Sequence, residues 1–242
     1  TLETYCDEYL PRAIRRCVDV SGSEDVALLG YCLGGVLSML TIAANPDLPV
    51  RSLVLLATPV DFSALGPGMT MISAGHVEVD DLLDETGNVA ADTLVAGFKL
   101  VQPAVDIATY NSLWHSFLDE RSLYAHQAIV GWSKEQIPFP GAAMRQVCEQ
   151  FLLRNELVNG TVTFAGRSVD LTSLRLPVLH MTGIRDKMVP TAASSPLPGL
   201  LAGTDLTIKE FDTGHVGLLH GRSAAKRSVP AISNWLADHS AA

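Results

Sequence analysis

The chain has 242 residues, 48% hydrophobic and 18% charged, with 17 Lys and Arg against 26 Asp and Glu for a formal net charge of −9. That apolar content excludes a disordered chain, and the acidic balance argues against a nucleic-acid-binding surface, which needs a basic footprint. The four cysteines, Cys6, Cys17, Cys32 and Cys148, include no Cys-x-x-Cys pair and make no disulfide scaffold, so a reducing, cytoplasmic compartment is expected.

The opening TLETYCDEYL is polar and acidic and does not read as a signal peptide. Leu2 to Val18 carries apolar residues at helical spacing, with Cys6 and Cys17 near the stripe and expected to be buried. Ser21-Gly22-Ser23 breaks it. Asp25–Gly30 then reads as a short buried strand, and Leu33–Ala44 as a helix stopped by Asn45-Pro46. The uncharged run Val26–Ala44 is long enough to span a bilayer, but its glycines divide it into strand and helix. Arg51–Ala57 is a second strand. From Asp61 to about Asp170 the texture is helical (Val89–Leu100, Tyr110–Phe117, Ala142–Leu153), entered through Gly66-Pro67-Gly68 and with no continuous apolar strand. Leu176–Thr182 and Asp205–Phe211 are the third and fourth strands, and Ser223–Leu236 is a closing helix. Strands alternating with helices predict an α/β fold with a mostly parallel sheet.

The strongest chemical signal is Gly30-Tyr31-Cys32-Leu33-Gly34-Gly35, which has the form G-x-C-x-G. It is the thiol version of the nucleophile elbow, in which a strained strand-to-helix turn presents the nucleophile. Gly30 and Gly34, two residues before and after Cys32, would let the helix pack close to the strand. The Leu33 N–H would open the helix and serve as an oxyanion donor. Such an elbow requires an acid and then a histidine, each just past a later strand. Asp186 follows Leu176–Thr182 in GIRDKMVP, and His215 follows Asp205–Phe211 in TGHVGL. Cys32 is therefore the candidate nucleophile, His215 the base and Asp186 the residue that fixes its tautomer. Asp212 is the alternative acid and His220 the alternative base. No His-Glu-x-x-His or other ligand spacing points to a metal.

GYCLGG, LATPVDF, Trp132, FLLRNELVNG, GIRDKMVP and TGHVGL, in this order over nearly the whole chain, resemble the polyhydroxyalkanoate synthases. The tail from Gly214 to Leu236 is closer to the short synthases that work with a second subunit. After Trp132 the chain reads Ser133-Lys134-Glu135-Gln136 where those synthases usually carry an Asn and an Asp. Asp61 and Trp132 match family positions in the lid region without an assigned role.

The resemblance implies an α/β-hydrolase-type core (residues 1–60 and 171–242) with an inserted helical lid (61–170). It implies transfer of the acyl group of a 3-hydroxyacyl-CoA to a polyester through a thioester on Cys32. Coenzyme A would enter as the substrate's thioester, with no resident cofactor, in a cytoplasmic protein associated with polyester granules. The same three residues also suit a thioesterase or intracellular polyester depolymerase, and a silent granule-bound homologue is the non-enzymatic alternative. In this fold several strands normally precede the nucleophile, so the outer edge of Asp25–Gly30 is expected to need a partner: another polypeptide, a second synthase subunit or a second copy.

Overall fold

The computed structural model describes residues 1–65, 78–101, 123–124, 127–128, 130–132 and 135–239. Its strands in chain order are β1 (Val26–Tyr31), β2 (Val50–Leu56), β3 (Asn88–Val89), β4 (Phe139–Pro140), β5 (Thr161–Phe164), β6 (Arg167–Asp170), β7 (Val178–Gly183) and β8 (Leu206–Phe211). The main helices are α1 (Leu10–Ser21), α2 (Leu33–Ala44), α3 (Ala91–Val101), α4 (Gly141–Gln146) and α5 (Val229–Asp238). Two compact units emerge: Thr1–Leu65 with Glu149–Ala242, and Gly66–Cys148.

The first unit is built on a four-stranded sheet in the order β1-β2-β7-β8 with every pair parallel. This is the order that the family resemblance implies for the four apolar runs. β2 and β7 are covered on both faces, which is why they read as nearly unbroken apolar segments rather than alternating ones. On one face, Val54 and Leu56 of β2 and Leu179 and Met181 of β7 pack with Trp235 of α5. On the other, α2 lies against β1 and β2 with Val36, Met39 and Leu40 fully buried. The outer edge of β1 pairs with no other strand among the described residues, and Leu29 on it is 46% exposed.

At the front, a π-helical turn (Thr4–Tyr9) runs into α1, which ends on Gly22 in the left-handed conformation at φ 70°. Cys6 is buried, and burial pushes its thiol pKa up to about 12. Cys17 is exposed, contrary to expectation. The inward face of α1 is set by Ile14 and the half-buried Val18, four residues apart, and this leaves Cys17 beside the contact stripe.

Residues 149–170 group with the sheet unit, and within them β5 and β6 form an antiparallel hairpin. The helical texture expected there is incorrect for 161–170. The alternation Thr-Val-Thr-Phe and Arg-Ser-Val-Asp buries Val162, Phe164 and Val169, and Ala165-Gly166 make the turn at φ 46° and 80°. Arg167 holds the hairpin to the N-terminal segment through a bidentate pair with Asp7 at 2.7 and 2.8 Å. Asp61 lies close to the point where the chain leaves this unit. Its Oδ1 accepts from Asn155 Nδ2 (2.9 Å) and Ser63 N (2.9 Å), and Asn155 Oδ1 accepts from Phe62 N (3.0 Å). Burial pushes the Asp61 carboxyl up, but the hydrogen bonds from Ser63 and Asn155 outweigh it and hold it low.

In the second unit, β3 and β4 pair over two residues each, and α4 follows with Gly141 seated against the Gly87 carbonyl. Arg145 of α4 pairs with Asp80. Trp132 is exposed. The expected helix Tyr110–Phe117 and the Gly66-Pro67-Gly68 entry lie outside the described residues. Among the described residues no helix is long and apolar enough to cross a membrane.

Candidate active site

Cys32 stands between β1 and α2 at φ 54°, ψ −124°, a conformation L-residues rarely adopt. Strain of this kind costs about 1–3 kcal/mol and persists only where surrounding contacts impose it. Here the Cys32 N–H donates to Leu56 O of β2 (2.8 Å), and Cys32 O accepts from Gly35 N (3.0 Å). Side chains are excluded around the turn. A Cβ on Gly30 would lie 2.5 Å from the Gly35 Cα, and one on Gly35 would overlap the buried Thr58 side chain. Gly34 has open space around it, so the glycine that admits close packing after the cysteine is Gly35 and not Gly34. Leu33 opens α2. Its N–H is among the first-turn donors that have no acceptor within the helix.

Asp186 and His215 sit beyond the C-terminal ends of β7 and β8. The two loops are joined by backbone bonds from Ile184 N to Phe211 O (2.9 Å) and from Arg185 N to Thr213 O (3.0 Å). The Asp186 side chain is completely buried, and its two oxygens have separate tasks. Oδ1 accepts from the Met188 and Val189 N–H groups (2.8 and 2.9 Å), while Oδ2 lies 2.6 Å from His215 Nδ1. The backbone bonds fix the carboxylate so that only Oδ2 is left to orient the imidazole. Asp212 points elsewhere: it pairs with Arg185 at 2.7 Å, and both side chains are mostly exposed.

Burial of His215 disfavours its charge, but the hydrogen bond to Asp186 opposes this, followed by the hydrogen bond and charge of Cys32; its pKa rises to about 9. The structure thus brings Cys32, His215 and Asp186 together, with Nδ1 taken by the carboxylate and Cys32 near enough to act on the charge of the ring. Such an arrangement can shuttle a proton between a sulfur and an incoming or departing group.

Residues not singled out for the site by sequence reasoning also shape it. The Tyr31 ring lies against His215 with centroids 4.7 Å apart and planes inclined by 38°. Thr58 and Thr213 are buried where the turns meet. The position of Tyr31 inside G-x-C-x-G was the available signal; the threonines carry none, because their roles arise only when separate strands are side by side. Among the described residues, no group of three or more His, Cys, Asp or Glu side chains could hold a metal ion.

A family model described as the alpha/beta hydrolase fold matches residues 1–221. The chain is 31% identical over 239 residues to the poly(3-hydroxyalkanoate) polymerase subunit PhaC of Allochromatium vinosum, covering 98% of this chain and 66% of that protein. It is 30% identical over 240 residues to the protein of that name from Haloferax mediterranei, covering 97% of this chain and 49% of that one. The chain thus spans between about half and just under two thirds of the length of these relatives. Among solved structures, it is similar to an epoxide hydrolase from Bacillus megaterium (TM-score 0.56, 12% identity, 98% of this chain and 78% of that chain). It is also similar to the esterase RhEst1 from Rhodococcus sp. ECU1013 (TM-score 0.54, 13% identity, 99% and 75%). These two likenesses concern the fold alone.

Proposed function

The chain belongs to the alpha/beta hydrolase fold family, and from that premise we propose that it is an acyltransferase that polymerises 3-hydroxyacyl-CoA into a polyester through a thioester on Cys32. The observation that carries the reading is a cysteine at the strained elbow beside a histidine whose Nδ1 is held by Asp186. The similarity to proteins named poly(3-hydroxyalkanoate) polymerase supports the choice of substrate.

In this reading, His215 takes the Cys32 proton and the sulfur attacks the thioester carbonyl of the substrate. The Leu33 N–H meets the oxyanion, and coenzyme A leaves with the proton from His215. A hydroxyl of a second 3-hydroxyacyl group then gives its proton to His215 and attacks the Cys32 thioester. An ester forms and the sulfur recovers the proton. The imidazole returns to its starting state after each transfer, as a general acid–base must. The protein works in the cytoplasm at the surface of polyester granules, and β1 is paired there by another polypeptide segment, a second synthase subunit or a second copy.

The test is incubation of the protein with 3-hydroxybutyryl-CoA, following free thiol, polymer and the mass of the Cys32 peptide. Polymer together with acylated Cys32 is the expected result. Release of free 3-hydroxybutyrate without polymer would replace transfer by hydrolysis, and no turnover with Cys32 unmodified would overturn both.

A further inference from the structure

Tyr31 is the last residue of β1, paired in register with Leu56 of β2, and it is followed at once by the strained Cys32. Its half-buried ring packs against the cluster of Val54, Leu56, Leu179, Met181 and Trp235. The sheet core therefore holds the ring in place, and it lies against the imidazole of His215 at 4.7 Å between centroids. Burial, and then the charges of Cys32 and Asp186, push the Tyr31 phenol pKa upward, so the ring stays neutral and adds no charge. Among the described residues, the titratable groups facing His215 are Asp186, Cys32 and Tyr31. Arg185, beside Asp186 in sequence, is engaged by Asp212 and its carbonyl.

An aromatic face near an imidazole attracts the protonated ring more than the neutral one, because the negative face of the quadrupole meets the cation. Asp186 fixes one edge of the imidazole through Nδ1 but leaves the ring free to tilt about that bond. A rigid face on one side removes this freedom. We propose that Tyr31 is a positioning residue for His215: its ring face sets the tilt of the imidazole toward Cys32 and favours the imidazolium–thiolate pair. The inference rests on the reading of Cys32 and His215 as the reacting pair and adds a third side chain that tunes it. From the usual strength of such contacts, loss of the face reduces the protonation equilibrium of His215 by roughly 2- to 30-fold.

The experiment is an NMR titration of ring-labelled histidine in the 242-residue chain, with the His215 resonance identified by its loss in His215→Gln. It compares the parent with Tyr31→Phe, Tyr31→Met and a protein carrying pentafluorophenylalanine at position 31. Phenylalanine keeps the face, methionine removes it, and pentafluorophenylalanine keeps the ring but reverses its polarity, so a methionine variant that fails to fold does not end the test. In parallel, the rate of Cys32 alkylation by iodoacetamide is followed against pH by mass spectrometry. A Cys17→Ser background is used because Cys17 is exposed. The expected result is a His215 pKa retained in Tyr31→Phe and lowered by about 0.3 to 1.5 units in the fluorinated variant and in any folded methionine variant. The high-pH limb of Cys32 alkylation should move with it. An unchanged pKa in the fluorinated variant, or a fall in Tyr31→Phe as large as in that variant, would overturn the proposal. Neither readout needs an acyl-CoA, so the outcome is separable from the failure or success of polymer synthesis.

Discussion

The Cα of Gly183 lies so close to the carbonyl of Thr213 that a Cβ there would sit 2.5 Å from the oxygen. This contact brings the Asp186 loop down onto the His215 loop, and no side chain at position 183 leaves room for it. Gly183→Ala must therefore push the loops apart by a few tenths of an ångström or more. The expected outcome is a loss of about 1–3 kcal/mol in stability, read by urea unfolding. Acyl transfer should fall disproportionately, because the bond between Asp186 and His215 depends on the same spacing.

Cys32→Ala should abolish acyl transfer, with a loss in turnover of at least ~10³-fold. Cys32→Ser should be nearly as poor, since a hydroxyl holds its proton far more tightly than a thiol. Steady-state release of coenzyme A measures both. Turnover retained in Cys32→Ala would remove Cys32 from the chemistry.

Asp186→Asn keeps the size of the side chain but takes away the charge that fixes the His215 tautomer, and should reduce turnover by roughly 10²–10⁴-fold. Asp212→Asn only breaks an exposed pair with Arg185 and should leave turnover within about twofold. The reverse ranking, a large loss in Asp212→Asn and little in Asp186→Asn, would make Asp212 the acid.

Two buried histidines should give stability opposite pH dependences. His180 is buried on β7, and burial lowers its pKa from 6.5 to about 4. Its contribution is complete above the unfolded value and is lost as pH falls from about 6.5 to 4, amounting to about 3 kcal/mol. The His215 pKa is raised to about 9, so its contribution is complete below about 6.5 and is lost as pH rises toward 9. Urea midpoints measured from pH 4 to 9 should therefore fall on both sides. His180→Leu should flatten only the acid side and Asp186→Asn only the alkaline side.

The outer edge of β1, with Leu29 half uncovered, pairs with no strand among the described residues, and such an edge invites another strand. Sedimentation of the 242-residue chain should show self-association, and a partner that pairs with this edge should suppress it. A well-behaved monomer with full polymerising activity would refute that expectation.

The positions of the four sheet strands, and the placing of α2 after Cys32, were legible because each strand is an apolar run bounded by turn residues and the segment after Cys32 has helical length, while their side-by-side order follows from the family resemblance. The same logic put Asp186 and His215 past the ends of β7 and β8, since a loop residue's place follows once its strand is known. What the sequence concealed depends on neighbours far along the chain. The hairpin β5–β6 spends only four residues on each strand, too few to stand out from helical surroundings. That Gly35, not Gly34, carries the close approach is decided by Thr58 on another element. The contact of Tyr31 with His215 joins residues 31 and 215: the place of Tyr31 inside G-x-C-x-G sets it beside the nucleophile, but nothing local names His215 as its partner.

The clasp between Asp61 and Asn155 has a further consequence for how such a protein can change over time. It ties the outgoing and returning chain with a 2.9 Å bond inside one compact unit, while everything from Gly66 to Cys148 lies in the other. The entropy of closing a long loop rises only slowly with its length, by about 0.6 kcal/mol per doubling, and here the loop's two ends are already joined. Residues can therefore be added to or removed from the intervening stretch without widening the junction that the Asp61–Asn155 bond closes. The clasp makes this stretch a closed loop whose length is free to diverge while residues 61 and 155 keep their spacing.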